Sequence, residues 1–283
     1  MKVLVIIPAH NEAEFIKDTL NSLVQQTHLP AEVIVVNDNS TDSTEAIVQD
    51  FSKQYSFIKL VNRTSSNAHE PGSKIVKAFN FGLSHTSTQN MDLICKFDAD
   101  LIFPADYLEV IVQAFSNEPK LGIYGGFCSI KSNSGWKLEN LTGNKHVRGA
   151  LKAYSKNCFQ NIGGLKSEMG WDTIDELLAQ YYGFTVKTNS ELVVKHLKPT
   201  GTRYKTSLAR KFGISLHQIR YDIGLAVLTS LKMGIKKHSL KFFIISMLNF
   251  FKAKTKKIPY LVDSKQGTFI RKLRWKGVLD KLV

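Results

Sequence analysis

The chain has 283 residues, with 38 Lys and Arg against 24 Asp and Glu, so its formal net charge is +14. Hydrophobic residues make up 43% and charged residues 22%, a composition that excludes a wholly disordered chain. The three cysteines, Cys95, Cys128 and Cys158, fit neither a zinc motif nor a disulfide framework, so we expect reduced thiols. No apolar run reaches about 18 residues and the first one ends at Pro8, so we expect neither a membrane-spanning helix nor a signal peptide.

The strand and helix patterns alternate through residues 1–120. Apolar runs at 3–7, 33–36, 57–61 and 93–97 are typical of buried parallel strands. A helix is predicted after each run. The predicted helices cover residues 12–26, 75–83 and 104–115, and one more runs from a cap at Ser40 or Thr41 to about residue 51. This alternation predicts an α/β fold, in which helices cover both faces of a mostly parallel sheet.

The pattern changes after residue 121. Residues 122–130 indicate a strand and 131–143 a polar loop, and residues 185–197 indicate an extended segment. Helices are predicted over 155–162 and 173–182.

The positive charge is concentrated at the C-terminal end. Residues 1–200 hold 19 basic and 21 acidic residues, whereas residues 201–283 hold 19 basic and three acidic ones, giving net charges of −2 and +16. An apolar run over residues 242–251 lies among lysines in this basic part, which favours helices at an anionic membrane surface. The alternative is a folded helical subdomain with a basic outer face.

Three polar segments follow predicted strands: residues 8–12, residues 37–42, and Asp98-Ala99-Asp100. Because ligands of open α/β sheets bind at the carboxyl ends of the strands, we expect these segments to share one site. Two carboxylates at a buried strand end suit Mg²⁺ or Mn²⁺ bound together with diphosphate oxygens. The alternative is that these side chains only form turns and caps. No glycine-rich phosphate loop follows the first strand, which disfavours dinucleotide oxidoreductases and P-loop enzymes.

The segments VIIPAHNE (5–12), EVIVVNDNSTDST (32–44) and DAD (98–100) resemble the family 2 glycosyltransferases of the GT-A fold. The resemblance covers roughly residues 1–200. It implies a nucleotide-sugar donor, most commonly a UDP-sugar, a bound Mg²⁺ or Mn²⁺, and inversion at the anomeric carbon. It also implies a catalytic domain over 1–205, with a nucleotide-binding half (1–120) and an acceptor-binding half (121–205), before a basic amphipathic helical tail (206–283).

The resemblance also assigns roles to individual residues. The metal ligands are expected to be Asp100, Asp98 and His196, and His196 could instead contact the diphosphate. Arg203 is a candidate phosphate ligand, and Lys74 either meets the nucleotide or is a solvated helix charge. The residues expected to bind the nucleotide sugar are Pro8, Ala9, Asn11, Glu12, Asp38, Lys74 and Asp98, with Asp38 reading the base.

The catalytic base is implied by the distance to Gly183-Phe184. Counting back from Gly183 places Asp172 at the family's base position, where Trp171 replaces the usual Glu. Asp175 is the alternative base, and Asp172 could instead be only a helix cap. The Gln-x-x-Arg-Trp motif of processive synthases is not found, because Arg274-Trp275 lies too late and lacks the Gln. We therefore expect transfer of one sugar per encounter.

The resulting hypothesis is an inverting glycosyltransferase that serves a glycan or lipid-linked acceptor in cell-surface polysaccharide biosynthesis. We expect it in the cytoplasm, peripheral on the inner face of the cell membrane, with no nucleic-acid partner. A nucleotidyltransferase is the alternative enzyme, but it usually needs a glycine-rich basic loop that residues 8–12 do not provide. A basic nucleic-acid-binding protein is the non-enzymatic alternative, which salt-sensitive DNA binding would reveal.

Overall fold

The computed structural model describes residues 1–65, 72–139, 146–198 and 206–280, with Thr206 described by its backbone alone. These residues form two compact units. The first comprises Met1–Ser167 and Tyr182–Thr200, and the second comprises Glu168–Tyr181 and Gly201–Val283. The boundary predicted near residue 205 lies close to the start of the C-terminal part of the second unit. That unit also takes in residues 168–181, which the sequence assigned to the acceptor-binding half.

The described residues of the first unit form a nine-stranded mixed sheet with five helices. The strands are β1 (Val3–Ala9), β2 (Glu32–Asp38), β3 (Ile58–Arg63), β4 (Leu93–Phe97), β5 (Leu101–Ile102), β6 (Leu121–Ser132), β7 (Gly135–Leu138), β8 (Leu151–Ser155) and β9 (Thr185–His196). The helices are α1 (Ile16–Val24), α2 (Thr44–Gln54), α3 (Ser73–Leu83), α4 (Tyr107–Asn117) and α5 (Lys156–Asn161). Strands follow the order β3-β2-β1-β4-β8-β6-β9-β5, and β7 pairs with β6.

Strands β1 to β4 are parallel, as predicted. Every residue of β1 and β2 is buried, which explains why their sequences are apolar runs rather than alternating ones. Helix α3 lies very close to this sheet at Gly82, where an added Cβ would stand 2.6 Å from Val36 Cγ2 and 2.9 Å from Ile6 Cγ2. The predicted α/β fold is therefore confirmed for this part of the chain.

The sheet direction places several strand ends at one edge. Strand β8 runs antiparallel to both β4 and β6, and β9 is parallel to β6, so β4, β6 and β9 all point the same way. Strand β5, which the sequence did not reveal because it is two residues long, pairs antiparallel with β9 at Leu101 and His196. This pairing brings the end of β9 beside the Asp98-Ala99-Asp100 segment.

Two local predictions were wrong. Residues 135–138 of the predicted polar loop form β7, because the chain turns at Gly135, whose φ of +108° favours glycine, and returns along β6. Helix α2 begins at Thr44, so neither Ser40 nor Thr41 caps it. Ser43 is the N-cap residue but its side chain makes no capping hydrogen bond, whereas Asp42 Oδ1 accepts one from Thr44 N at 3.0 Å.

The second unit is entirely helical over its described residues. Its helices are α6 (Trp171–Tyr181), α7 (Thr206–Gln218), α8 (Ile223–Lys236), α9 (Leu240–Thr255) and α10 (Ser264–Leu279). Side chains from α7, α8 and α9 share a core, which contains Leu216, Ala226, Met247 and Phe250. The basic tail is thus a packed helical unit, and its long apolar run contributes to a core.

Three helices of this unit, α8, α9 and α10, begin at side chains that cap them. Asp222 and Ser239 accept backbone hydrogen bonds at the starts of α8 and α9, and Asp263 forms a capping box with Gln266 at the start of α10. No helix among the described residues combines the length and the apolar character that crossing a membrane requires.

Candidate active site

The loops after β1 and β2 are held together by hydrogen bonds. Asn11 N donates to Ser40 Oγ at 3.0 Å, and Asn11 Oδ1 accepts from Thr41 N at 2.8 Å. Glu12 N donates to Thr44 Oγ1 at 2.9 Å. Asn11 has a φ of 54°, a left-handed conformation that Asn tolerates better than most residues. The two predicted nucleoside-binding segments, which include Pro8 and Ala9 at the end of β1, therefore form one continuous surface.

Asp38, the predicted base-reading residue, is held by an arginine. Its Oδ1 lies 3.0 Å from Arg63 Nη1, and both side chains are largely buried. The two residues are register partners in the β2–β3 pairing, so the sheet itself sets this contact. Sequence patterns did not indicate Arg63, because it lies just beyond the apolar run that marked its strand.

Asp98 pairs with a lysine inside the sheet. Lys96 Nζ donates to Asp98 Oδ1, and the Lys96 side chain is 1% exposed whereas that of Asp98 is 26% exposed. A buried ammonium group is costly without an ionic partner, so Asp98 compensates the charge of Lys96. A charged residue inside the apolar run 93–97 was the signal that could have identified Lys96.

His196 lies between two carboxylates. Its Nε2 is 3.3 Å from Asp100 Oδ2, and its Nδ1 is 3.2 Å from Glu139 Oε2. Arg148 Nη1 donates to the same Glu139 oxygen. Glu139 directly follows β7 and is anchored by its backbone N–H to Cys128 O at 2.8 Å. Neither Glu139 nor Arg148 has a local sequence signal, because Glu139 is positioned by the β6–β7 hairpin within a segment whose polar composition predicts a loop.

The charges of this cluster support one another. Burial alone would lower the pKa of His196, but the hydrogen bonds and charge of Asp100 and Glu139 outweigh burial and raise it above 6.5. Burial alone would raise the pKa of Glu139, but hydrogen bonds from Arg148 and His196 lower it below its ordinary 4.5. The arrangement therefore favours an ionised Glu139 beside the imidazole.

Glu12 joins the acidic edge from the β1 loop. Burial raises its pKa above 4.5, Lys198 at 3.0 Å opposes this, and the charges of Asp100 and Asp98 raise the pKa further. Three of the predicted ligand-binding acids thus influence one another electrostatically. Glu12, Asp98 and Asp100 therefore lie near enough for their charges to interact.

Two carboxylate oxygens at this edge lack hydrogen-bond donors among the described residues. They are Asp100 Oδ1 and Glu12 Oε2, and both are buried. Buried acceptors without donors suit a cation or a donor-bearing ligand. Within the described part of the chain, no three His, Cys, Asp or Glu side chains could hold a metal by themselves. A divalent cation here would fit only with additional oxygens from a ligand, which is how Mg²⁺ usually binds beside phosphates.

Three further predicted site residues lie on helices. Lys74 is half-buried in the first turn of α3. Asp172 and Asp175 both belong to α6 of the second unit, where Asp175 is buried. Because α6 begins at Trp171, Asp172 lies within the first helical turn rather than before it. Arg203 lies outside the described residues.

Comparison with known proteins decides the family. The profile described as glycosyl transferase family 2 matches residues 4–165, more than half of the chain. The chain belongs to this family. It is 40% identical over 128 residues to "Probable glycosyltransferase YdaM" of Bacillus subtilis, a match that covers 44% of this chain and 29% of that protein. It is 30% identical over 132 residues to the poly-beta-1,6-N-acetyl-D-glucosamine synthase of Staphylococcus epidermidis, a match that covers 46% of this chain and 29% of that protein.

Solved structures confirm the GT-A fold. The mannosyltransferase PcManGT from Pyrobaculum calidifontis, described in complex with GDP-Man and Mn²⁺, superposes with a TM-score of 0.56 at 18% identity, covering 100% of this chain and 81% of that one. S. aureus TarS in complex with UDP-GlcNAc superposes with a TM-score of 0.57 at 19% identity, and the match covers 76% of this chain and 67% of that one. The chain spans under a third of the length of the two curated relatives above.

Proposed function

We propose that this glycosyltransferase is inverting and metal-dependent, and that it moves one sugar at a time to a glycan or lipid-linked acceptor in cell-surface polysaccharide biosynthesis. The observation that carries the proposal is the buried, donor-less Asp100 Oδ1 beside His196, at the same strand edge as the nucleoside loops. The named activity of the S. epidermidis relative supports a polysaccharide product, and the Mn²⁺ of PcManGT supports the cation.

Asp100, with Asp98 and His196, would hold Mg²⁺ or Mn²⁺ in this enzyme. The cation would supply positive charge that neutralises the leaving diphosphate. Asp38, held by Arg63, would read the base, and the joined β1 and β2 loops would line the nucleoside. TarS binds UDP-GlcNAc, which supports UDP as the nucleotide.

Inversion needs a single displacement with one base. The acceptor oxygen bonds to the anomeric carbon as the bond to the nucleoside diphosphate breaks, and the hydroxyl proton passes to a carboxylate. Asp172 is the proposed base and Asp175 its alternative. The first-turn position of Asp172 favours its ionised form, because the helix N-terminus carries partial positive charge.

The proposed location is the inner face of the cell membrane, in the cytoplasm. A net charge of +16 over residues 201–283 supports an anionic surface as partner. A lipid-linked acceptor would be confined to such a surface, so peripheral attachment would bring the enzyme to it.

A donor screen tests the proposed function. The full chain is incubated with a panel of UDP- and GDP-sugars and Mn²⁺, and nucleotide release is measured with and without chelator. We expect release from one donor class that chelator abolishes. Release that is insensitive to chelator would contradict metal dependence. Pyrophosphate release from nucleoside triphosphate and sugar phosphate would favour the nucleotidyltransferase alternative instead.

A further inference from the structure

Helices α8 and α9 each carry a row of exposed apolar side chains. The rows repeat every three or four residues, the spacing that places side chains on one face of a helix. Their exposed fractions lie between 41% and 70%. The residues are Leu228, Leu231 and Ile235 on α8, and Leu240, Ile244, Leu248 and Phe251 on α9.

Both rows lie on the side of their helix away from the shared core. Ala226 of α8 and Met247 and Phe250 of α9 pack with Leu216 of α7, and these four are at most 8% exposed. The helices adjoin at Gly234, where an added Cβ would stand 3.2 Å from Phe243 Cβ. With about 100° of rotation per residue, the outward rows of the two helices fall on the surface opposite α7. We call these seven side chains the α8–α9 face.

The charges around the α8–α9 face are all positive. Residues 223–262 contain eight lysines and no Asp or Glu. Exposed Lys241 and Lys252 border the α9 row, and exposed Lys232 borders the α8 row. The α8–α9 face therefore combines an apolar centre with a cationic margin, a pattern typical of surfaces that lie in a lipid interface.

We propose that the α8–α9 face docks on an anionic lipid surface, with its Leu, Ile and Phe side chains at the acyl boundary and its lysines at the headgroups. This inference rests on the proposed membrane location and names the residues that provide it. A second copy of the chain is a poorer occupant, because pairing two such faces would bring their lysines together without any acid to compensate them. The row from Leu240 to Phe251 is about 16 Å long, so α9 would lie along the surface.

Vesicle co-sedimentation of the full chain tests the docking. The double variant Ile244→Glu with Leu248→Glu should bind vesicles of phosphatidylcholine and phosphatidylglycerol about tenfold more weakly or worse, because it puts charge where apolar burial is needed. Leu29→Glu is the matched control, since Leu29 is 52% exposed in the first unit. Equal binding by the double variant and the wild type would overturn the proposal.

A second pair of variants does not depend on acidic substitutions being tolerated. Lys241→Gln and Lys252→Gln should each weaken binding about fivefold, and vesicles of phosphatidylcholine alone should bind poorly. Leu248→Cys carrying an environment-sensitive fluorophore should shift to the blue on anionic vesicles, while labelled Leu29→Cys should not. The three native cysteines are buried, so the label is selective. An unshifted Leu248→Cys signal with bound protein would overturn the proposal.

Two further readouts separate this proposal from its rivals. In the first, the wild type self-associates as its concentration rises, the double variant does not, and the wild type fails to bind vesicles. That result would assign the α8–α9 face to a second copy and overturn lipid docking. Nucleotide release in vesicle-free solution should be the same in the double variant and the wild type. Absence of release from both proteins would contradict the proposed transferase chemistry and leave the docking result standing.

Discussion

His196 Nδ1 lies 3.2 Å from Glu139 Oε2, an interaction that orients the ring and keeps a proton on Nδ1. The other nitrogen, Nε2, faces Asp100 Oδ2 at 3.3 Å, where it can donate a hydrogen bond. Loss of the Nε2 proton would free a lone pair for a cation bound beside Asp100. Carboxylates that receive the second N–H of a histidine are common supports of metal-binding imidazoles. Glu139 is therefore expected to position His196 rather than to touch the substrate.

Replacing Glu139 tests this positioning role. Glu139→Gln should weaken Mn²⁺ binding in the presence of UDP by about tenfold, because the ring loses its charged partner. Free Mn²⁺ measured by electron paramagnetic resonance provides the readout independently of turnover. Glu118→Gln is the control, since Glu118 forms an exposed ion pair with Lys187 in the same unit. Unchanged affinity in Glu139→Gln would contradict the role.

Asp100 is expected to matter most for the cation. Asp100→Asn should lower the transfer rate on the order of 10³-fold, because charge neutralisation of the diphosphate is lost. Mn²⁺ titration in the presence of UDP should show a matching loss of affinity. Asp50→Asn, at an exposed position of α2 paired with Lys53, should change neither quantity. Normal turnover of Asp100→Asn in chelator would exclude a metal at this position.

Replacing the proposed base should affect sugar transfer but not donor binding. Asp172→Asn should retain donor affinity and lose transfer by about 10² to 10⁴-fold, the usual contribution of a general base. Donor binding is followed by calorimetry and transfer by product formation. If Asp175→Asn is the inactive variant and Asp172→Asn transfers normally, Asp175 is the base.

Asp42 should stabilise the joined β1 and β2 loops in a pH-dependent way. Although burial would raise its pKa, hydrogen bonds from Thr44 and Ala13 lower it below 3.8. Asp42 is exposed, so solvent screens its charge, and Asp42→Asn should reduce the free energy of unfolding by only about 0.5 kcal/mol at neutral pH. Because the folded-state pKa is the lower one, this difference should shrink as pH falls below 3.8 through the folded value. Denaturant unfolding at several pH values measures it, and a difference that persists in acid would contradict the assignment.

The parts of the fold that could be predicted are those dictated by local patterns. The buried run at residues 93–97 is β4, and the run at 33–36 lies within β2. Asp98 and Asp100 were identified because their position after such a run is unusual for a carboxylate. Strand β5 was missed, since two residues carry no periodicity and its pairing with β9 is set by tertiary structure.

The supporting residues of the site were harder to predict. Arg63 and Glu139 owe their roles to sheet register and to a hairpin, neither of which has a local sequence signature. The apolar run at residues 242–251 was expected to face a membrane, but its side chains point to two different environments. Phe242 and Phe250 are buried, whereas Leu248 is 63% exposed. A run that is apolar on all sides of a helix does not reveal which side meets the core.

The pairing of β5 with β9 has a consequence for synthesis on the ribosome. Leu101 and His196 are about a third of the chain apart, so the nascent chain carries Asp98 and Asp100 for roughly ten seconds before their histidine neighbour is made. Strands β1 to β4 can assemble during that interval, but β6 lacks its parallel neighbour. A chain that stops before β9 would keep its nucleoside loops and expose β6 as an open edge, available for pairing with other chains.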